Sequence, residues 1–285
     1  MKSAFISVTG RPSAGKSTLI NTMCGYKVSI VSRTPQTTKN KIRGIMTADE
    51  GQLVFLDTPG YYVSEKKSNI ELQDVMFSAL EESDFILYVA DLTREPGKEE
   101  EALTGIIKES GQNIIVALNK SDMADEEAAA SRKSYFAAAF GIPEEKIFPV
   151  SAKTEEGVKE LISAMFEASP EGPMMYPEEY YTDQEVDFRI SEIIREKVIN
   201  RTQDEIPHCI AVEIADMEMQ EENGMERLWV RAFLTVNTES QKRILIGKGG
   251  ELIGKIRKAA MREIKDTFPY SVKLDMMVKV RHRKY

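Results

Sequence analysis

Gly10-Arg11-Pro12-Ser13-Ala14-Gly15-Lys16-Ser17 fits the pattern G-x-x-x-x-G-K-[ST] and lies between a short apolar run and a helical stretch. Glycines let such a loop turn its backbone N–H groups onto phosphate oxygens, and the start of the following helix adds positive potential. Lys16 is placed to reach the β- and γ-phosphates of a nucleotide and the Ser17 hydroxyl to ligate Mg²⁺. Ser13, Ala14, Gly15 and Thr18 line the same cradle. The competing reading is an ordinary strand–turn–helix, so the remaining motifs must decide.

Asp57-Thr58-Pro59-Gly60 ends a strand-like run. A carboxylate there can hold Mg²⁺ through water, and the Gly60 N–H can meet a γ-phosphate, although Asp and Gly are also common turn residues. Asn119-Lys120-Ser121-Asp122 ends another run and carries the choice of base. An aspartate accepts two hydrogen bonds from guanine, at N1–H and the 2-amino group, and adenine offers neither. Ser151-Ala152-Lys153 follows a third run, where a backbone amide can support the guanine O6. Four motifs in this order, each after a strand-like run, point to GTP or GDP with Mg²⁺.

A second constellation lies near the other end. Ile246-Gly247-Lys248-Gly249-Gly250 places a G-x-x-G loop between two helical stretches. Small residues let a sugar–phosphate backbone approach closely, with Ile246 and Ile253 as walls of an apolar groove for single-stranded bases. Lys248, Lys255, Lys258 and Arg262 can meet phosphates. The net charge of −8 conceals the asymmetry behind this: residues 242–285 carry +9, which leaves −17 for the rest. A polyanionic partner for the C-terminal part alone follows. The alternatives, a helix-capping turn and a solvated charged face, are weaker inside a unit of this order and charge.

The elements that must position these loops form two patterns. Strand-like runs at 4–9, 42–47, 52–57, 85–91, 113–118 and 147–150 alternate with helical stretches at 16–24, 70–81, 99–109, 126–140 and 158–168. That alternation predicts a mostly parallel sheet with helices on both faces and ligands beyond the carboxyl ends of the strands. Three prolines and a glycine within 169–184 predict an ordered linker. Beyond it the order becomes helix 185–200, strands 210–217 and 227–236, two helices around the G-x-x-G loop, and a strand at 271–280.

Composition removes other classes. With 42% hydrophobic and 29% charged residues a buried core is expected, and disorder is not. Cys24 and Cys209 stand alone, which excludes a disulfide framework or zinc ribbon and suits a reducing compartment. The apolar runs fall short of a membrane span, and the N-terminus supplies no signal-peptide core, so a cytoplasmic location is expected. His208 and His282 have no spacing that suggests catalysis.

The first half resembles the translational GTPase-like P-loop proteins. By that resemblance Thr38, in the polar loop 32–41 beside Thr37, is the switch threonine that joins the Mg²⁺ shell when the γ-phosphate is present. Lys16, Thr38 and Gly60 then serve catalysis, and Ser17 and Thr38 ligate the metal, with Asp57 acting through water. Many such GTPases carry Gln after DxxG, where this chain has Tyr61, which implies slow intrinsic turnover. Over nearly its whole length the chain resembles the Era family of bacterial ribosome-assembly GTPases. The resemblance rests on PQTTK at 35–39, DTPG at 57–60, PEGPMMYPEEYYTD at 170–183, EIIREK at 192–197, SQKRILIGKGG at 240–250 and VKVRHRK at 278–284. It implies an α/β P-loop GTPase domain at 1–168, a linker at 169–184 and an α+β type II KH domain at 185–285. It further implies small-subunit (16S) rRNA, bound near its 3′ end, and the 30S precursor as partners. A monomer is expected, and some members associate peripherally with the inner membrane. Close relatives use Asn at the position of Ser13 to hold an activating K⁺ ion, so Ser13 leaves potassium dependence open. Two rivals stand beside this reading: an RNA-binding protein with a purely structural nucleotide, and a phosphoryl-transfer enzyme with a small acceptor.

Overall fold

A computed structural model describes residues 1–32, 41–61, 67–222 and 225–281. The chain forms two compact units, the first reaching Asp183 and the second beginning at Gln184.

In the first unit the elements run β1 (Lys2–Thr9), α1 (Lys16–Cys24), β2 (Ile42–Ala48), β3 (Gly51–Asp57), α2 (Lys67–Glu82), β4 (Phe85–Asp91) and α3 (Lys98–Glu109). They continue as β5 (Asn113–Asn119), α4 (Glu126–Phe140), β6 (Ile147–Val150) and α5 (Val158–Ala168). The strands are ordered β2-β3-β1-β4-β5-β6. Only two residues join β2 to β3, which forces an antiparallel pair, whereas each other neighbour is reached through a helix and is parallel. Helices cover both faces, which is why β4 is a continuous apolar run with Phe85 to Ala90 all buried. One core layer packs Tyr88, Val116 and Leu118 against Met76, Leu103, Phe136 and Phe140 of α2, α3 and α4. With the sheet fixed on both sides, the carboxyl ends of β1, β3, β4, β5 and β6 form one rim.

Residues 169–184 are ordered because their backbone groups find partners on the first unit. The Ser3 and Ile45 N–H groups donate to Pro170 O and Tyr181 O at 3.0 and 2.9 Å. The buried Gln52 amide accepts from the Met175 and Tyr176 N–H groups, both at 2.9 Å, and donates to Tyr176 O at 3.0 Å. Arg43 pairs with Asp183 at 2.8 Å.

The second unit comprises α6 (Val186–Ile199), α7 (Ile206–Cys209), β7 (Ala211–Glu222), β8 (Met225–Val236), α8 (Glu239–Ile246), α9 (Glu251–Thr267) and β9 (Ser271–Val280). Its sheet is β7-β8-β9, antiparallel between the first two and parallel between the last two, because the α8–α9 crossover returns the chain in the same direction. One face is buried: Leu228, Val230, Ala232, Leu234 and Val236 alternate along β8 against Ile190, Ile194, Ile256, Ala260 and Ile264. The short α7 was not foreseen, since four residues around Pro207 carry no helical period. Among the described residues, no helix is long and apolar enough to cross a membrane.

Candidate functional site

The loop between β1 and α1 requires its glycines sterically. Gly10 has φ +148°, and a Cβ there would stand 2.2 Å from Val89 O; Gly15 has φ +94°, and its Cβ would stand 2.2 Å from the Asn119 amide nitrogen. Ser13 also takes a left-handed conformation, φ +64°, at the exposed crest. Ala14 is buried, and Ser17 and Thr18 open α1 half-buried behind Gly15.

Lys16 is buried, with its ammonium donating to Gly10 O at 3.1 Å and Arg11 O at 3.0 Å. Burial pulls it down to about 8, against the opposing pull of Asp57 and Glu100. Asp57 is fully buried, and neither of its oxygens meets a donor in good hydrogen-bond geometry. Burial pushes its carboxyl above the usual range; the Ser29 and Ser17 hydroxyls, the Lys16 ammonium and the Thr58 N–H lie close enough to offset part of that. A buried, under-satisfied carboxylate beside a buried ammonium is costly unless a ligand brings compensating charge. A triphosphate supplies the anion that Lys16 needs, and a hydrated Mg²⁺ supplies donors to Asp57. The donor set therefore fits Mg²⁺, with Ser17 on the metal and Asp57 through water.

The DxxG segment closes on the same loop. Thr58 Oγ1 donates to Val8 O at 2.8 Å, and the Tyr61 N–H donates to Gly10 O at 3.2 Å. A Cβ at Gly60 would lie 2.7 Å from the Pro12 backbone, so glycine is what allows the two loops to touch. Thr37 and Thr38 lie outside the described residues, as does most of the loop 32–41.

On the far side of the rim Asn119 is the tie. Its side chain donates to Ala14 O at 2.9 Å and accepts from the Ala152 N–H at 3.0 Å, joining the phosphate loop to 151–153. The Ala152 amide is thus engaged by Asn119 in this structure. Asp122 accepts from Ser151 Oγ at 2.8 Å, with Lys153 Nζ 4.0 Å from its other oxygen. These two contacts hold a carboxylate that is mostly shielded from solvent and still has acceptor capacity for further donors. Lys120 takes φ +70° and pairs with Asp91 at 2.6 Å.

Sequence reasoning missed Arg11, Glu100 and Asp91 here. Arg11 pairs with Glu99 at 3.4 Å and Glu100 at 3.1 Å, and buried Glu100 also accepts from the Tyr88 hydroxyl, so α3 holds the crest of the phosphate loop. The third is Asp91. Its position, last in an apolar strand like Asp57, was the available signal.

In the second unit Thr238 and Gln241 form a reciprocal capping box at the start of α8. The helix stops at Gly247, φ +75°, where a Cβ would meet Leu252 at 2.8 Å; at Gly249 and Gly250 a Cβ would meet nothing. The loop is therefore tight at its first glycine and open at the last two. Ile246 and Ile253 pack half-buried against the core. Lys248, Lys258 and Arg262 are exposed, while Lys255, also exposed, pairs with Glu251 at 2.6 Å. An exposed pair of this kind is weak and yields readily to a phosphate.

Residues 5–120 match the family described as 50S ribosome-binding GTPase, and residues 205–284 match the KH domain. GTPase Era of Treponema denticola is 49% identical over 280 residues, covering 98% of this chain and 95% of that protein. GTPase Era of Borreliella afzelii is 42% identical over 281 residues, covering 99% and 95%. Among solved structures, Era in complex with MgGDPNP and nucleotides 1506–1542 of 16S ribosomal RNA has a TM-score of 0.94 at 31% identity, covering 99% of this chain and 95% of that one. An Aquifex aeolicus Era variant bound to GDP·AlF4⁻ has a TM-score of 0.93 at 31% identity with the same coverage. With a nucleotide rim on a six-stranded sheet, a glycine clamp on a mixed three-stranded one, and this likeness along both, the chain belongs to the Era family of GTPases.

Proposed function

We propose that this chain is a Mg²⁺-dependent GTPase whose nucleotide state sets its grip on the 3′ end of small-subunit rRNA, and that it assists 30S assembly as a monomer in the cytoplasm. The G domain is 1–168 and the KH domain 185–285, with 169–184 as an ordered linker bound to the first. The observation that carries the reading is that one solved relative, alike over 99% of this chain, holds a Mg-bound GTP analogue and a 16S rRNA segment together.

Gly10 and Ser13 to Thr18 cradle the phosphates through backbone amides, and the Lys16 ammonium leaves its carbonyl partners for the β- and γ-oxygens. Ser17, with Asp57 through water, would hold Mg²⁺, which would supply positive charge against the phosphates. Asp122 reads the guanine edge, with Asn119, Lys120 and 151–153 framing it. Thr38 and the Gly60 N–H sense the γ-phosphate, and Tyr61, which cannot orient water as a glutamine does, makes the intrinsic rate slow. In the KH domain, Gly249 and Gly250 admit the RNA backbone, Ile246 and Gly247 shape the groove, and Lys248, Lys255, Lys258 and Arg262 meet phosphates. A switch requires that RNA bind one nucleotide state better than the other.

The test is binding of a short single-stranded RNA matching the 3′ end of small-subunit rRNA, with GDP and with a non-hydrolysable GTP analogue. Tighter binding with the analogue, lost in Gly249→Asp, is the expected result; equal affinity in both states refutes the switch. Tyr61 favours one second reading, a nucleotide that is structural only, and release of inorganic phosphate from GTP without an acceptor disposes of it.

A further inference from the structure

At the rim where the four motifs meet, one further carboxylate is built into the protein. Asp91 ends β4 in register with Asn119 at the end of β5, and its side chain is only 6% exposed. Oδ2 accepts from Lys120 Nζ at 2.6 Å, and Oδ1 accepts from the Thr93 hydroxyl at 2.6 Å and the Thr93 N–H at 3.0 Å. Both oxygens are engaged by protein donors, so this carboxylate serves the loop beside it. The N–H of the next residue, Leu92, donates to Asn119 O at 2.9 Å, adding a second tie between the two strand ends.

What that tie restrains is unusual. Lys120 sits at φ +70°, ψ 36°, a left-handed conformation that a long side chain avoids unless its surroundings enforce it. Lys120 also caps the single turn 121–123 that carries Asp122, so its backbone angles set the direction of the Asp122 carboxylate. Ser151 and Lys153 brace that carboxylate from the opposite side. A lysine ammonium paired with Asp91 at 2.6 Å has its charge matched, and the pair restricts the rotamers open to the side chain.

We propose that Asp91 is a positioning residue for base selection: by holding the Lys120 ammonium it fixes the left-handed turn that aims Asp122 at guanine. The inference rests on the guanine-nucleotide reading, and it separates the base side of the site, governed from β4, from the phosphate side, governed by Lys16 and the loop 10–17.

Asp91→Asn in the full-length chain keeps the shape and the Thr93 contacts while removing the charge. The measurement compares affinities for GDP, ADP and Mg-tripolyphosphate, the last engaging only the phosphate side. Asp91→Asn is expected to weaken GDP by about tenfold and to narrow the preference for GDP over ADP by a similar factor. Tripolyphosphate affinity is expected to stay within about twofold, a split that a merely structural role would not produce. Thr93→Val, which removes the hydroxyl donor but leaves the backbone N–H bond and the ion pair, is expected to show the same pattern at about two- to threefold. GDP affinity unchanged in both variants, or GDP and tripolyphosphate weakened together, overturns the proposal. A wild-type protein without preference for GDP over ADP sinks the underlying guanine reading instead, so the two failures are told apart.

Discussion

Around the rim of the first unit Lys16 is buried against two backbone carbonyls and Asp57 is buried with neither oxygen well hydrogen-bonded, whereas around the loop 247–250 of the second Lys248, Lys258 and Arg262 stand in solvent. Glycines serve both, for different reasons. At Gly10 and Gly15 an added Cβ would collide with Val89 and Asn119, so the loop is packed into the protein; at Gly249 and Gly250, with φ +60° and +81°, it would meet nothing, so there glycine serves the left-handed backbone of an open loop. The difference follows the ligands. A compact triphosphate with its cation brings enough charge to repay a dry, preorganised site, which is where electrostatic stabilisation is strongest. A single RNA strand carries spread charge and mobile bases, which suit an open clamp with exposed cations.

Lys16→Met tests the buried side hardest. GTP turnover is expected to fall about 10³-fold, as for removal of a donor aimed at developing charge, while the nucleotide-free protein becomes no less stable because a buried charge has gone. Steady-state phosphate release and thermal unfolding of the same sample check both halves. A variant that loses activity and unfolds together would erase the contrast between the buried and the open site.

Gly249→Asp and Gly247→Ala split the open side. The first places a carboxylate in the clamp at a position with room for it, although at φ +60°, which aspartate adopts more readily than most residues, and is expected to weaken RNA binding by about tenfold or more without changing RNA-free GTP turnover. Gly247→Ala pushes a methyl group into Leu252 at positive φ and is expected to cost stability of about 1–3 kcal/mol. Fluorescence anisotropy with labelled RNA and a denaturant titration separate a lost clamp from a lost fold.

The pH dependence of stability sharpens the same point. Lys16, held down to about 8 when folded against 10.5 otherwise, binds fewer protons in the folded state between those values. Stability of the nucleotide-free protein therefore rises with pH from about 8 to 10.5, by on the order of 3 kcal/mol, and the penalty is fully present below 8. Asp57 is shifted upward, so the folded state binds more protons above the ordinary carboxylate value, and stability falls as pH rises through that window. Calorimetric melting across pH should show both slopes without nucleotide and their flattening with Mg-GDP; slopes that persist unchanged would mean the ligand does not meet these groups. The smallest effect expected is that of the monovalent cation. The Ser13 hydroxyl offers less reach than an asparagine amide, so replacing Na⁺ by K⁺ should change turnover by no more than about twofold, as a paired rate measurement would show.

Much of the first unit was legible because each strand is a buried apolar run and each chemical motif is contiguous. Residues 10–17 and 119–122 carry their chemistry in local spacing, and phosphate binding at a helix start needs no distant partner to be recognised. The second unit was legible through the alternation along β8 and β9 and the glycine break between α8 and α9. Where periodicity was missing, so was the reading: α7 is a single turn, and β7 extends well beyond 217 because its pairing with β8, not its own pattern, keeps it extended. Thr38 and the loop around it fall outside the described residues, so its role remains the proposal made above.

The amino-acid sequence by itself determined the α/β class, the order of the motifs, the two-part organisation and the reversal of charge along the chain, because each is written in residue types at short range. Only the tertiary structure decided that Asp91 reaches Lys120 across 29 residues and Arg11 reaches Glu100 across 89. Those contacts exist because β4 lies between β1 and β5, and that strand order comes from packing helices onto both faces of one sheet. Burial of Lys16 and Asp57 was decided the same way: a local pattern names a charge, but only the assembled core sets how much water the charge has lost.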